Sequence, residues 1–380
     1  MSMRGRRAAA AGIAIAALAC GVALVASNDG ARDSGGSRAS PPGPVGEPRS
    51  DDLPRQFDVQ AHRGGLGLIT ESTLEAFANA LQIGATTLEL DVRLSADDRP
   101  IVTHDRRVSA VKCRDTAPVV AGDPDYPYVG DPIRSLSLAQ IATLDCGLRQ
   151  LPGFPRQRVV ANARMPLLGE VFALVDCYGA DDVRFSIDPK FPAEAPGESA
   201  SRGRLVRVVA REIRKAGMLD RVAIASVDWG VLRRMRKLHP GLPIAAAGHP
   251  RFLQAGKLGA SPWLGGIDID DYGGRLVAAA ASIGADAILP VHGTPADAAR
   301  GDAGYIPFTT PRMVRRAHRA GLKVIPWTVD DPASMRYLIS IGADGLITDY
   351  PDRLRTVMAR SGMRLPAATP SLRGDRRCLP

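Results

Sequence analysis

The chain has 380 residues, of which 45% are hydrophobic and 5% aromatic, so it is long enough for one large or two smaller domains with a mostly aliphatic core. Its formal net charge is +9; six arginines lie in the first 50 residues and five at 359–380, and no basic stripe interleaved with aromatic residues lies between them. This distribution argues against nucleic-acid binding and favours contact with an anionic membrane or cell-surface polymer.

The N-terminal segment predicts export. A short basic stretch precedes an apolar run about as long as a membrane-spanning helix, so residues 1–27 are predicted to be a signal peptide or a membrane anchor. Residues 28–54, rich in Ser, Gly, Pro and Arg, are predicted to be a flexible linker. We therefore expect a secreted protein, or one anchored through its N-terminus to the outer face of the cytoplasmic membrane. Whether the segment is cleaved, lipidated or retained stays open.

From residue 55 onward, short β-like runs alternate with helical patterns. The nine candidate strands lie at 58–62, 87–92, 100–104, 183–188, 221–226, 243–247, 285–290, 323–329 and 345–348. Alternation over about 300 residues predicts a parallel α/β fold, and a closed TIM-type (β/α)8 barrel is the preferred architecture. Because the predicted barrel has only eight strands, one of the nine candidates is expected to be a peripheral strand or not a strand at all.

The predicted barrel domain, 55–358, carries an insertion after the third candidate strand and is followed by a basic tail at 359–380. The insertion covers about 106–165, which lacks clear strands, and it is expected at the catalytic end of the barrel. Exported proteins favour disulfides, and a Cys113–Cys146 bridge would close the Asp-, Pro- and Gly-rich part of this insertion. The state of Cys177 and Cys378 stays open.

Charged residues accumulate at the ends of the predicted strands. Glu89 and Asp91 alternate with apolar residues, so a strand would direct both carboxylates to one face. The other charged residues near predicted strand ends are His62, Arg63, Glu71, His104, Asp188 and Lys190. Inward-facing carboxylates without a counter-charge are costly and imply a cation, and oxygen ligands select Mg²⁺ or Ca²⁺. The chain has six lysines against 43 arginines, so the lysine at 190 indicates a need for a compact ammonium.

Three stretches combine these residues into recognisable motifs. They read AHRGG at 61–65, ESTLEAFANALQIGATTLELDVRLSADDRPIVTHD at 71–105 and GLKVIPWTVDDPASMRYLISIGADGLITDYPDRL at 321–354. Their order and spacing resemble the glycerophosphodiester phosphodiesterase family over roughly 57–358, weakly between 106 and 165. The resemblance implies a TIM-type barrel that uses a divalent metal to hydrolyse a small-molecule glycerophosphodiester to glycerol 3-phosphate and an alcohol.

The resemblance also implies roles for individual residues. His62 and His104 correspond to the catalytic acid and base. One divalent cation, Ca²⁺ or Mg²⁺, would be held by Glu71, Glu89, Asp91 and Asp188, and the substrate would be contacted by Arg63, Lys190 and Trp327. Asp188 stands where the family usually has glutamate. In the implied reaction the neighbouring glycerol hydroxyl attacks phosphorus, water opens the resulting cyclic phosphate, and the two histidines exchange roles between the steps.

Two other functions remain open at this point. One is a lyase of the phospholipase D toxin type, which would act on lysophospholipids or sphingomyelin and leave a cyclic phosphate. The other is a surface barrel that binds without catalysis. Retention of both catalytic-type histidines favours an enzyme, and the insertion would determine access for lipids.

Overall fold

The computed structural model describes residues 56–369 and 378–379. In chain order its strands are β1 (Asp58–His62), β2 (Thr87–Leu94), β3 (Pro100–Val102), β4 (Arg184–Pro189), β5 (Val222–Ser226), β6 (Ile244–Gly248), β7 (Ala287–Pro290), β8 (Gly293–Thr294), β9 (Ile306–Pro307), β10 (Lys323–Val324) and β11 (Gly345–Thr348). Its α-helices are α1 (Leu74–Ile83), α2 (Leu138–Ile141), α3 (Leu168–Cys177), α4 (Arg202–Lys215), α5 (Trp229–Leu238), α6 (Pro250–Leu253), α7 (Leu276–Ser282), α8 (Pro311–Arg319), α9 (Pro332–Ser340) and α10 (Pro351–Arg360).

Some predicted segments lie outside the described residues. The signal or anchor at 1–27 and the linker at 28–54 fall there entirely, and the tail at 359–380 is described only to residue 369 and at 378–379. Within 56–369, no helix combines the length and the apolar character needed to cross a bilayer.

Eight parallel strands form a nearly closed barrel, in the order β10, β7, β6, β5, β4, β2, β1, β11. Backbone hydrogen bonds join the two ends of this order, since the N–H of Asp344 donates to the carbonyl of Val324 (2.8 Å) and the N–H of Ile347 to that of Pro326 (2.9 Å). The predicted TIM-type barrel is confirmed. The strand predicted at 323–329 is shorter than expected and ends at Val324.

The third predicted strand is the peripheral one. β3 pairs antiparallel with β2, with Val92 opposite Val102, and it ends two residues before His104 instead of at it. β2 continues past its parallel partners, and β3 returns from the hairpin toward the level of Asp91, where the N–H of Thr103 donates to the Asp91 carbonyl (3.0 Å). His104 therefore reaches the site from a returning hairpin, which a sequence pattern of apolar residues does not distinguish from a barrel strand.

The helices follow from local sequence. Thr73 begins α1, because its side chain accepts a hydrogen bond from the N–H of Ala76 (3.1 Å), and Gly84 ends the helix in the left-handed region (φ 90°). Between these caps the apolar face of α1 buries Phe77 and Leu81 in a largely aliphatic core shared with the outer faces of the strands.

The interior of the barrel is lined by small residues. The apolar cluster there consists of Ala225, Ala245, Ala247, Ala287, Leu289, Ile325 and Ile347. Four of these seven side chains are alanines, which do not fill the space that larger branched residues fill in a packed barrel core. This leaves room for a cavity at the carboxyl end of the strands.

The insertion at 106–165 has an apolar core of its own. It buries Val108, Tyr128, Ile133, Leu136, Ile141 and Leu144 together with the Cys113–Cys146 disulfide, which the sequence analysis favoured. A second disulfide joins Cys177, at the end of α3, to Cys378. The insertion is thus a covalently closed unit over the barrel, and the chain's C-terminal end is attached to α3.

Candidate active site

A cavity of about 340 Å³ opens among the carboxyl ends of the barrel strands. One wall is charged and contains His62, Arg63, Glu89, Asp91, His104, Asp188 and Lys190; the other is apolar and contains Phe191, Phe252, Trp263, Leu289, Trp327 and Ile347. A larger cavity of about 710 Å³ at the amino ends of the strands contains neither His62 nor His104. The structure therefore brings eight of the nine predicted catalytic, metal and substrate residues to one cavity, and Glu71 lies behind them.

The turn after β1 aims Arg63 into this site. Arg63, Gly64 and Gly65 follow one another with φ values of 50°, 84° and 89°. A Cβ at Gly64 would lie 2.8 Å from the Cβ of Ala76, so glycine is required there both for conformation and for space. Arg63 itself adopts a conformation that is uncommon for a residue with a side chain. This strained backbone conformation directs the Arg63 guanidinium into the cavity.

Protein cations neutralise most of the buried carboxylates. Nε of Arg63 lies 3.0 Å from Asp91 and its Nη1 2.9 Å from Glu71. Nζ of Lys190 lies 2.8 Å from Asp91 and 2.7 Å from Asp188. Burial alone would raise the pKa of Asp91, but Lys190 and Arg63 hold it well below its usual range. The premise that these carboxylates lack a counter-charge is therefore wrong for Glu71, Asp91 and Asp188.

Glu89 is different, because its charge is not matched by a lysine or arginine side chain among the described residues. Its Oε2 accepts a hydrogen bond from the backbone N–H of Arg63 (3.0 Å) and lies 3.9 Å from Nε2 of His62. Burial and the neighbouring Asp91 raise the pKa of Glu89 to about 7. Glu89 is thus the carboxylate of the site that lacks a lysine or arginine partner among the described residues. Either a proton on Glu89 or a bound cation would neutralise its charge.

The donor set can be compared with what a hard cation requires. Glu89 and Asp91 leave the same face of β2, and Asp91 is opposite Asp188 of β4 in the sheet register. Both carboxylate oxygens of Asp91 are buried and, apart from the two ion pairs, accept no hydrogen bond from the described residues. Carboxylate oxygens are the donors that Ca²⁺ or Mg²⁺ prefers, so the chemistry of this set fits either ion.

The present arrangement of these donors is not that of a metal site. Among residues 56–369 and 378–379, no three His, Cys, Asp or Glu side chains converge closely enough to hold an ion as they stand. The Lys190 ammonium lies between Asp91 and Asp188, so a metal would compete with it for their oxygens. Both oxygens of Glu71 are engaged by Arg63 and Lys112.

Each predicted catalytic histidine has a carboxylate partner on Nδ1. Nδ1 of His62 lies 2.5 Å from Oδ1 of Asp349, and Nδ1 of His104 lies 2.9 Å from Oδ1 of Asp105. These contacts assign the Nδ1–H tautomer and leave Nε2 of each ring for other chemistry. Asp105 and Asp349 were not among the predicted site residues, although both stand in the motifs that carry the resemblance.

The surroundings displace the two imidazole pKa values in opposite directions. Burial and Arg63 lower the pKa of His62, but Asp349 and Glu89 outweigh them and raise it above its usual value. Burial and Arg63 lower the pKa of His104 to about 4, since Asp105 compensates only in part. His62 therefore favours the imidazolium near neutral pH, and His104 favours the neutral imidazole.

The insertion contributes one cation that the sequence analysis missed. Lys112 contacts Glu71, and its Nζ lies 2.8 Å from Oδ2 of Asp105. Lys112 is one of the six lysines of the chain, so the rarity argument applied to Lys190 could have singled it out. Trp327 lies in the apolar wall, where its Nε1 donates to the carbonyl of Leu289 (2.7 Å).

The comparison with protein families decides what kind of enzyme this is. A family model described as the glycerophosphoryl diester phosphodiesterase family matches residues 62–353. The chain belongs to this family. It is thus a phosphoric diester hydrolase.

Known phosphodiesterases resemble this one along most of their length. The glycerophosphodiester phosphodiesterase of Caldanaerobacter subterraneus subsp. tengcongensis is 26% identical over 306 residues, which are 80% of this chain and 98% of that protein. The crystal structure of a putative glycerophosphoryl diester phosphodiesterase from Silicibacter pomeroyi DSS-3 superposes with a TM-score of 0.66, at 28% identity over 82% of this chain and 96% of the other. An Oleispira antarctica phosphodiesterase in complex with sn-glycerol-3-phosphate shares the fold, with a TM-score of 0.57 at 18% identity over 80% of this chain and 96% of that one.

Proposed function

We propose that this phosphodiesterase hydrolyses glycerophosphodiesters to glycerol 3-phosphate and an alcohol by acid/base catalysis with His62 and His104. The observation that carries the proposal is the pair of imidazoles on one cavity, each bound through Nδ1 to a carboxylate and each displaced in pKa in the opposite sense. Two titratable groups separated in this way are suited to act as an acid and a base at the same pH.

The roles follow from the protonation states. In the first step Nε2 of neutral His104 takes the proton of the attacking glycerol hydroxyl, and the His62 imidazolium gives its proton to the oxygen of the leaving alcohol. In the second step the roles reverse, as water opens the cyclic phosphate. Arg63 and Lys190 face the negative phosphoryl oxygens, and Trp327 contacts the substrate from the apolar wall.

The proposal includes one divalent cation, Ca²⁺ or Mg²⁺, held by Glu89, Asp91 and Asp188. The charge of Glu89, which no lysine or arginine side chain among the described residues pairs with, supports it, and so does the set of carboxylate oxygens on neighbouring strands. When bound, the ion would neutralise charge on the phosphoryl group. Ligation by Glu71 stays a prediction that this ligand set does not require, because Glu71 lies behind the residues that line the cavity.

Glu89→Gln is expected to weaken Ca²⁺ or Mg²⁺ binding at least about tenfold and to lower activity, because it removes a charged ligand.

In the metal-free protein, the same substitution should instead raise the melting temperature. The pKa of Glu89 is raised to about 7, so its contribution to stability is lost as pH rises through that value. At about pH 8, metal-free Glu89→Gln should therefore melt about 2–4 °C higher than the wild type.

Isothermal calorimetry and thermal melts with and without chelator measure both effects. Glu75→Gln, the same substitution in the first turn of α1, is the matched control and should change neither. Wild-type metal affinity in folded Glu89→Gln would remove Glu89 from the ligand set.

Export is also part of the proposal. The basic-then-apolar N-terminal sequence supports it, and so do the two disulfides, because such bonds persist in oxidising compartments. The N-terminal segment would then keep the enzyme at the membrane or cell envelope, or direct it into the medium.

A phosphorus NMR time course tests the reaction. The enzyme is given glycerophosphocholine and then lysophosphatidylcholine, with Ca²⁺ or Mg²⁺ and with chelator. Metal-dependent appearance of glycerol 3-phosphate from the first substrate is the expected result. A lasting cyclic phosphate from the second would favour the toxin-type lyase, and no turnover of either by the folded protein would favour a binding barrel.

A further inference from the structure

Lys112 enters the active site from the insertion, outside the barrel itself. Its Nζ lies 2.8 Å from Oδ2 of Asp105, whose other oxygen, Oδ1, lies 2.9 Å from Nδ1 of His104. One carboxylate is therefore shared between an ammonium and an imidazole. On its other side Lys112 contacts buried Glu71, which in turn is paired with Arg63.

The segment that carries Lys112 is fixed on both sides. Before it, the N–H groups of Lys112 and Cys113 donate to the carbonyl of Ser109 (3.1 and 2.8 Å). Immediately after it, Cys113 forms the buried disulfide with Cys146, and Arg114 and Asp145 exchange two backbone hydrogen bonds (2.9 and 3.1 Å). The disulfide therefore anchors the residue next to Lys112 and limits where the ammonium can reach.

Asp105 depends on this ammonium for its orientation. Its side chain is 32% exposed, and its ion-pair partners among the described residues are His104 and Lys112. Without Lys112, water would compete for Oδ2 and the carboxylate could turn away from the imidazole. The backbone of His104 would stay in place, because Nε of Arg93 donates to its carbonyl (2.8 Å), but its ring would lose its fixed direction.

We propose that Lys112 is a positioning residue for the phosphodiesterase reaction, which holds Asp105 so that His104 directs Nε2 into the cavity, and that the Cys113–Cys146 disulfide keeps Lys112 there. The inference rests on the proposed role of His104 as an acid/base group. It assigns a function to the insertion, which supplies one member of a Lys112–Asp105–His104 chain instead of only covering the barrel.

The test compares full-length wild type, Lys112→Gln, Lys112→Arg and Arg114→Gln by kcat, KM and pH profile on glycerophosphocholine. Lys112→Gln should lower kcat roughly 10- to 100-fold with KM changed less than about threefold, because the ring is misdirected while substrate contacts remain. Lys112→Arg keeps the charge and should recover part of kcat. Arg114→Gln removes an equal charge on the other side of Cys113, where Arg114 pairs with Asp145 outside the cavity, and should behave as wild type.

The pH profile separates positioning from mere support of the fold. The charged groups that face His104 are Asp105, Arg63, Asp91 and Lys190, and all of them remain in Lys112→Gln. When Asp105 turns away, the imidazolium loses the hydrogen bond that raises the pKa of His104, so the acidic limb of kcat/KM should move to lower pH. A residue that only stabilised the fold would change the melting temperature and leave this limb in place.

The role of the disulfide is tested in the wild type and in the Lys112→Gln variant. Replacing Cys113 and Cys146 by serine should lower kcat in the wild type and add little to the loss in Lys112→Gln, because both changes release the same ammonium. Additive losses would overturn the link between the disulfide and Lys112.

Two results distinguish the inference from the function on which it rests. If His104→Ala is inactive while Lys112→Gln keeps wild-type kcat and acidic limb, the inference is overturned and the proposed function stands. If His104→Ala keeps wild-type activity, the acid/base assignment itself fails, and the inference fails with it.

Discussion

His62→Ala is expected to lower kcat by about 10²–10⁴-fold without loss of the fold, because it removes the group that protonates the leaving alcohol. His62 is only 14% exposed and lies between Asp349 and Glu89, which fix its direction, and a water molecule in its place would be a much weaker acid than an imidazolium. Steady-state kinetics with glycerophosphocholine measure the loss, and circular dichroism checks the fold.

The pH profile of the wild-type enzyme tests the same assignment of His62 as the acid and His104 as the base. His104, with a pKa of about 4, must be neutral to act as the base, so kcat/KM should rise with pH through that value. His62, whose pKa is raised, must be protonated to act as the acid, so activity should fall at a pH above the usual histidine pKa. His62→Ala should abolish the alkaline limb.

The matched control is another histidine that is paired with an aspartate. Nε2 of His318 lies 2.9 Å from Asp344 on the outside of the barrel, so His318→Ala removes the same kind of pair far from the cavity. Its kinetics should remain those of the wild type. Near-normal turnover by His62→Ala would exclude His62 as the acid.

Asp349→Asn is the second large expected effect, with a loss in kcat of about 10²–10⁴-fold. The amide keeps the size of the carboxylate but can turn its NH₂ toward Nδ1 of His62, which then favours the wrong tautomer. The substitution also removes the charge that raises the pKa of His62 against the effects of burial and Arg63. The alkaline limb of the pH profile should therefore move to lower pH.

Asp352→Asn is the control for this substitution. Asp352 lies three residues further along the chain and pairs with Arg156 at the surface, with 33% of its side chain exposed. We expect Asp352→Asn to have the kcat and KM of the wild type. If Asp349→Asn keeps both the rate and the position of the alkaline limb, Asp349 does not orient His62.

The barrel and most of the site could be predicted because both depend on short-range patterns. The alternation of apolar runs with amphipathic helices identifies parallel strands, and carboxyl ends of parallel strands meet at one end of a barrel. Glu89 and Asp91 leave one face of β2 because residues two apart in a strand share a face. The same pattern could not reveal that β3 is antiparallel, since Pro100–Val102 is fully buried and apolar like a barrel strand.

The pairing of charges could not be predicted, because it depends on side chains that are distant in the sequence. Asp349 is 287 residues from His62, and Lys112 is 41 residues from Glu71. Lys112 also lies in a segment without periodic structure, whose path is set by a disulfide. A sequence indicates that a carboxylate points inward, but not which cation will meet it.

The His62–Asp349 pair has a consequence for when the enzyme becomes active. His62 ends the first strand of the barrel, Asp349 directly follows the last, and β1 and β11 pair only when the barrel closes. A nascent chain whose C-terminal part is not yet synthesised contains His62 without its partner. If His62 is the acid, as proposed, such a chain has no oriented acid, and the onset of turnover would report that the barrel has closed.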